Sequence, residues 1–557
     1  MPLQTQQAHP RMGTEKILGK RMQRMHHRVS SSRILWALWT MGLLSLASCC
    51  KSDPQTSGPR TSGPYDSCRD SSLHPWSCGR LRTRWLQFDG DPAHSGNNTS
   101  ESLISASNVG TLVPLFDVVL PGVPDGAPAV LRGVPTANGK EDLIFVTTHE
   151  GHLLALDAKT GATVWMVQYG AGGCLGQNLP GQPCYTTSSP AIDPSRQFVY
   201  AYGLDGYVHK YMVGNGTEVT TGGWPELVTL KANWEKGSAP LVFATDASGT
   251  TFLYAMTSSF PGSEMGDYQG HVTAINLSTG AQKVFNSLCS DQTVHFVLAP
   301  GTPDCAVQQS GIWERVGVVY DAGSNRIYGT TGNGVFDPSL KYWGDTVFSL
   351  NPDGSGANGI PLDTYTPPNY QTLQTDQIDL GSAGPALLPG GGKYRRLAAQ
   401  GGKEGIIRLL DLDNLSGQGG PGHVGGELST STLPQGGEVL TALATWANPA
   451  DGSAWVFVAN SNGIAGLTLQ FDSTGTPSLV QKWLRTSGGT SPLIANNVLY
   501  YAGSGHLWAL NPTTGAQLFD GSTVGPIHWQ SPVVANGVVY IEDLNSHLHA
   551  FGLPASP

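Results

Sequence analysis

An all-β fold made of eight four-stranded antiparallel blades arranged as a β-propeller is predicted by three features of this 557-residue sequence. The first is a repeated phrase, cleanest over residues 143–165 as LIFVTTHEGHLLALDAKTGATVW. An apolar run turns at Glu150-Gly151, alternates through LLALDA, turns again at Lys159-Thr160-Gly161 and closes on Trp165, the pattern of hairpin-linked strands. The second is recurrence. Residues 498–519 read VLYYAGSGHLWALNPTTGAQLF and residues 538–551 read VVYIEDLNSHLHAF, with looser copies from Val199, Gly270, Asp345 and Gly405. The third is composition: Gly 72, Pro 38 and only 13% charged residues suit a turn-rich β protein. A period of roughly 35 to 50 residues with about four strands per unit indicates radial blades, because one unit cannot bury its own apolar face.

Each unit is placed by its opening phrase. Ala127-Pro128-Ala129, Ser189-Pro190-Ala191, Ala239-Pro240-Leu241, Ser491-Pro492-Leu493 and Ser531-Pro532-Val533 share one form, and the eight units begin near Asp125, Tyr185, Lys236, Ser310, Leu380, Gly436, Gly488 and Ile527. The strand after Thr111 is expected to complete the last blade and close the ring, since an open ring leaves an unpaired edge. One domain, 85–557, is the result.

Upstream, Arg21, Arg24, Arg28 and Arg33 precede the apolar stretch ILWALWTMGLLSLAS at 34–48, which is short for a membrane span and suited to a signal-peptide core. The stretch ends in Leu46-Ala47-Ser48-Cys49, which resembles a bacterial lipobox. That resemblance implies a lipoprotein signal peptide over 1–48, a lipidated Cys49 and an exported chain on the periplasmic side of the membrane or at the cell surface. The alternative is ordinary cleavage, leaving Cys49 a free thiol. The Ser-, Gly- and Pro-rich residues up to 84 read as a tether.

Net charge of −10 with no basic cluster beyond that signal gives no reason to expect a nucleic-acid partner. Six further cysteines form near-neighbour pairs, Cys68 and Cys78, Cys174 and Cys184, Cys289 and Cys305. Fifteen connectivities are open to them, and three local disulfides in an oxidising compartment are the economical choice. A metal site is the rival for these cysteines, but no CxxC or Cys/His ligand spacing supports it, and without CxxCH no covalent haem is encoded. No GxSxG elbow or HExxH supports hydrolase chemistry.

The repeat resembles that of the pyrroloquinoline quinone (PQQ) propellers, which include eight-bladed quinoprotein alcohol dehydrogenases and non-catalytic relatives such as the propeller lipoprotein of the Bam complex. Four stretches interrupt the repeat where that family keeps its site. GSEMGDYQGHVTA from Gly262 implies Glu264 as a calcium ligand, although Gln269 stands where the family has Arg. YDAGSNRIYGTTGNG from Tyr320 implies Asn333 as the second ligand. DQIDLGSAGPALL from Asp376 implies Asp379 as catalytic base and further metal ligand, and GGKEGIIRLLD from Gly401 implies Lys403 as the cation beside the quinone. Calcium takes hard oxygen ligands, which these are.

Departures are equally legible. After Cys49-Cys50 there are no adjacent cysteines, Arg315 stands where the Trp beneath the quinone belongs, and Trp313, the nearest aromatic candidate for that contact, lies two residues upstream. Acidic residues in Gly-rich loops are commonly solvated turn residues, and Asn before Gly commonly serves a positive φ. The remaining His and Trp residues, with His152 and His506 at one repeat position, read as blade packing.

Two function classes stay open. One is a lipid-anchored quinoprotein dehydrogenase using PQQ and Ca²⁺ on an alcohol or sugar hydroxyl, with a separate electron acceptor. The other is a non-catalytic scaffold for an envelope protein or glycan.

Overall fold

A computed structural model describes residues 85–170, 184–261, 266–297 and 304–554. The signal segment, Cys49, Cys68, Cys78, Cys174 and Glu264 therefore lie outside the described residues.

Eight four-stranded antiparallel blades follow in chain order. Blades 1 to 7 span 129–168, 191–227, 242–286, 319–365, 386–432, 444–485 and 493–521. Blade 8 takes three strands from 533–552 and its outermost from Val113–Val119, which pairs antiparallel with His547–Gly552. Every unit begins within about ten residues of its expected start, and the ring closes through the strand after Thr111.

Local chemistry explains why the blades recur. In the D/N-x-x-T-G turns the first side chain accepts from the backbone that follows it. Asp157 Oδ1 takes Lys159 N at 3.1 Å and Thr160 N at 2.9 Å, and Asn511 Oδ1 takes Thr513 N at 2.9 Å. This satisfies the reversal and hands the next residue a left-handed conformation, which Gly161 and Gly515 adopt at φ 72° and 69°. The same glycines let neighbouring blades touch. A Cβ on Gly515 would lie 2.7 Å from the Trp483 ring of blade 6, whose Nε1 donates to Pro512 O at 2.8 Å. Trp165 of blade 1 meets blade 2 in the same way, through Val213 O at 2.9 Å. Each closing Trp is thus a peg between blades and buries a large apolar area.

The lead-in segment 85–98 crosses the ring. Trp85 bridges to Val130, Leu86 O accepts Ile192 N, Gln87 Oε1 accepts Phe243 N and Pro92 O accepts Tyr320 N. Farther along, Ser95 O accepts Thr445 N, Asn97–Asn98 pairs parallel with blade 7, and Asn98 Nδ2 donates to Val534 O. One short stretch therefore laces blades 1, 2, 3, 4, 6, 7 and 8.

Cys289 and Cys305 are disulfide-bonded, as expected from their spacing. They sit in a small cluster with Leu288 and Phe296.

Candidate functional site

Loops from several blades enclose a cavity of about 620 Å³ at the ring axis. Trp313, Asn333, Asp379 and Lys403 all line it, so four of the five residues expected from the sequence share one site. Glu264, the fifth, is outside the described residues.

The backbone builds this convergence. Asp379 precedes a single 3-10 turn, Leu380–Ser382, that leads into blade 5. Its Oδ1 accepts Asn333 N at 2.8 Å, and its Oδ2 is ion-paired with the Lys403 ammonium. Lys403 N in turn donates to Asp379 O at 3.0 Å, which fixes the loop that presents the ammonium. Gly332 permits the approach: a Cβ there would lie 2.4 Å from Asp379 Oδ1 and 3.1 Å from Trp313 Nε1. Asn333 has no positive φ, so the TGNG sequence serves close packing and not a left-handed turn. Asn333 and Asp379 are both buried, which also removes the solvated-turn reading.

Electrostatics are uneven around the cavity. Lys236, buried on the strand Glu235–Lys236, brings a second ammonium 4.4 Å from the Tyr185 ring, with Thr187 Oγ1 at 3.5 Å. Burial pulls its ammonium down to about 8. Behind Asp379, Asp345 accepts Leu380 N at 3.0 Å, and burial pushes its carboxyl well above the usual range. Burial thus disfavours a charge on Asp345 beside the Asp379 carboxyl. Asn333 Oδ1 is a buried acceptor with no hydrogen-bond partner.

Trp529, from the loop before blade 8, faces Trp313 at 5.7 Å between ring centroids. Beyond that pair lies a second cavity of about 670 Å³ over blades 6 to 8. Asp125 fixes the divider, accepting Trp529 N at 3.0 Å, with His528 Nδ1 at 2.8 Å and His149 Nε2 at 3.1 Å. Burial opposes the Asp125 charge, yet these histidine contacts hold its carboxyl below the usual range. Arg315 is 1% exposed, its guanidinium 4.7 Å from the Phe88 ring and 5.4 Å from the Trp529 ring, and its Nη2 donates to Trp529 O at 2.8 Å. Burial lowers it to about 10, so it stays charged.

The packing assignment for the remaining aromatics holds at some positions and fails at others. His152 pairs with Thr148 Oγ1 at 3.1 Å and His506 with Asp520 at 2.7 Å within their blades. Trp529 and His528 instead wall the cavity, because the loop before blade 8 meets the loop before blade 4 there. Lys236 was also missed, since nothing in its local sequence marks it.

The chemistry of the donors fits a quinone with a hard cation. An orphaned amide oxygen and a carboxylate are oxygen ligands, two ammonium groups suit an anionic quinone, and Trp313 offers an aromatic face.

No family model matches the chain, and no curated protein matches it in sequence. Solved structures do match in shape. A quinohemoprotein alcohol dehydrogenase from Pseudomonas putida aligns over 86% of this chain and 82% of its own at 14% identity, TM-score 0.56. One from Comamonas testosteroni aligns over 85% and 81% at 15% identity, TM-score 0.57. A europium-containing methanol dehydrogenase aligns over 86% and 99% at 14% identity, TM-score 0.56. In fold, the chain is an eight-bladed β-propeller of the kind found in the PQQ quinoprotein dehydrogenases.

Proposed function

We propose that the protein is an exported, lipid-anchored oxidoreductase that binds PQQ and a divalent cation such as Ca²⁺ in the axial cavity and oxidises an alcohol or sugar hydroxyl. The observation that supports this most is the meeting of Asn333, Asp379 and Lys403, drawn from separate stretches of sequence, on one carboxylate in one cavity. When bound, the quinone supplies the two-electron acceptor. Asn333 Oδ1 and Asp379 would hold the cation, with Lys403 and Lys236 facing the quinone oxygens and Trp313 its ring.

The chain's own part is proton handling. Asp379 is held by one N–H and one ammonium, which keeps its carboxylate aimed into the cavity as acceptor for a substrate hydroxyl proton. Burial of Asp345 raises its pKa and so disfavours a second charge beside Asp379. A separate carrier would take the electrons, and the lipid at Cys49 would keep the protein at the membrane.

Thermal melting with saturating Ca²⁺ and PQQ tests the reading. Wild type should gain several degrees by mass action, with Asp379→Ala and Lys403→Ala losing most of the gain. Arg315 standing where a Trp is expected favours the scaffold reading, and a wild-type shift below about a degree would select it. Fatty-acid labelling tests the anchor: Cys49→Ala should abolish it, and equal labelling of both proteins would remove the anchor from the proposal.

A further inference from the structure

Blade 8 holds a cluster unrelated to the axial cavity. His547 and His549 stand two residues apart on His547–Gly552 and so project from one face. Asp117, on Val113–Val119, sits opposite His549 in register. His547 Nδ1 is 2.5 Å from Asp117 Oδ1, and His549 Nδ1 is 3.6 Å from the same oxygen. The two imidazoles lie nearly parallel, 15° apart, and one donor atom from each of the three residues falls within 4.8 Å of the others.

A buried second carboxylate sets the orientation. Asp543, with a side chain 2% exposed, lies 2.8 Å from His549 Nε2 and is held by Gly525 N at 2.8 Å and Asn545 N at 2.9 Å. An acceptor-only carboxylate at Nε2 fixes the proton there and turns the Nδ1 lone pair toward Asp117. Metal-ligating histidines are oriented by outer carboxylates in this way.

Neighbouring blades give an internal control. In blade 7, His506 and Asp520 stand at the positions of His547 and Asp117, paired at 2.7 Å, but Trp508 replaces the second histidine. Blade 1 has Leu154 there. Blade 2 carries the second histidine instead, His209 held between Asp205 and Glu218, but has Tyr207 at the first position. Among the described blades, both histidines occur together beside one carboxylate in the closing blade alone.

We propose that His547 Nδ1, His549 Nδ1 and Asp117 bind one divalent transition ion of the Zn²⁺, Cu²⁺ or Ni²⁺ class, with water completing the coordination. Two imidazoles select such ions over Ca²⁺ or Mg²⁺. Bonds of about 2.0 to 2.2 Å place tetrahedral ligands roughly 3.4 Å apart, close to the His549–Asp117 separation. His547 must withdraw by about 1 Å, and the proton it shares with Asp117 passes to its Nε2 or to solvent. The side chains of Asp117 and His547 are 52% and 32% exposed, which leaves an ion a route in. Because Asp117 belongs to the strand that closes the ring, the ion would clamp first strand to last.

The test is melting of the full chain in EDTA against excess ZnCl₂, with Co²⁺ absorption as a second readout. Wild type should gain about 2 °C or more with Zn²⁺ and show visible Co²⁺ bands. His549→Gln should lose both, while Asp520→Asn in blade 7 keeps both. A gain of the same size in His549→Gln, or no gain and no Co²⁺ bands in wild type, overturns the proposal. Melting of each variant in EDTA reports separately whether the substitution harms the fold.

Discussion

The two cavities are nearly equal in size, share the wall made by His528 and Trp529, and differ in construction elsewhere. The one bounded by blades 2 to 5 is walled by side chains that bring charge, Lys236, Asp379 and Lys403 among them. The one over blades 6 to 8 also meets Arg315 and Glu438, but most of its wall is backbone and small polar residues such as Gly488, Gly489, Thr490 and Ser504. Glycines there hold chain against chain: a Cβ on Gly489 would lie 2.4 Å from Ala502 O, and one on Gly503 2.4 Å from Gly488 O. Where the repeat runs uninterrupted, its loops pack tightly on themselves. Where extra sequence enters, between blades 3 and 5, the loops can present functional groups.

The largest expected loss falls on the residue that supports the divider. Arg315→Ala removes a buried charge that holds Trp529 O and lies against its ring, and should cost about 3 kcal/mol or more. Denaturant unfolding measures the loss, and a change below about 1 kcal/mol would mean that the two cavities do not depend on it. Next comes a difference in ligand affinity. Lys236→Met should weaken quinone binding about tenfold or more, the value of one charge-assisted hydrogen bond, whereas Ser461→Ala in the second cavity should leave it within about twofold. Equal losses would erase the distinction drawn between the cavities.

Two further effects sharpen it. Gly489→Ala should destabilise by about 1 to 3 kcal/mol through overpacking and leave quinone affinity unaltered, as seen by calorimetry. Glu542, beside the divider, is buried with an unpartnered Oε1, and burial pushes its carboxyl up to about 8 despite nearby Arg315. The native state then keeps a proton that the unfolded chain releases. This stability is complete below about pH 4.5 and is lost as pH rises toward 8. Glu542→Gln should therefore be indistinguishable from wild type at pH 4.5 and more stable by several kcal/mol, up to about 5, at pH 8.5. The same difference at both pH values would assign the effect to packing.

Much of this was legible because the repeat speaks through short-range chemistry. The D/N-x-x-T-G turns, the Pro-containing opening phrases and the alternating strands each specify local backbone, so blade starts and the closing role of Val113–Val119 follow from the text. The interrupted contexts of Asn333, Asp379 and Lys403 pointed to one shared place, and these residues do line one cavity, while spacing paired Cys289 with Cys305. What escaped is long-range. Trp529 meets Trp313 only after the ring closes, and Lys236 reaches the cavity from an ordinary blade opening. Asp345 reads as a plain loop acid, since the rise in its pKa is a consequence of burial that no neighbouring residue announces.

Ring closure also sets an order of events. Asp117 and His547 are 430 residues apart in sequence yet share one blade. Until His547–Gly552, the last described strand, has left the ribosome, Val113–Val119 waits as an unsatisfied edge with Val113, Leu115 and Val119 exposed even in the finished protein. Such an edge recruits other strands, so a chain stalled before His547 is the species most prone to aggregate.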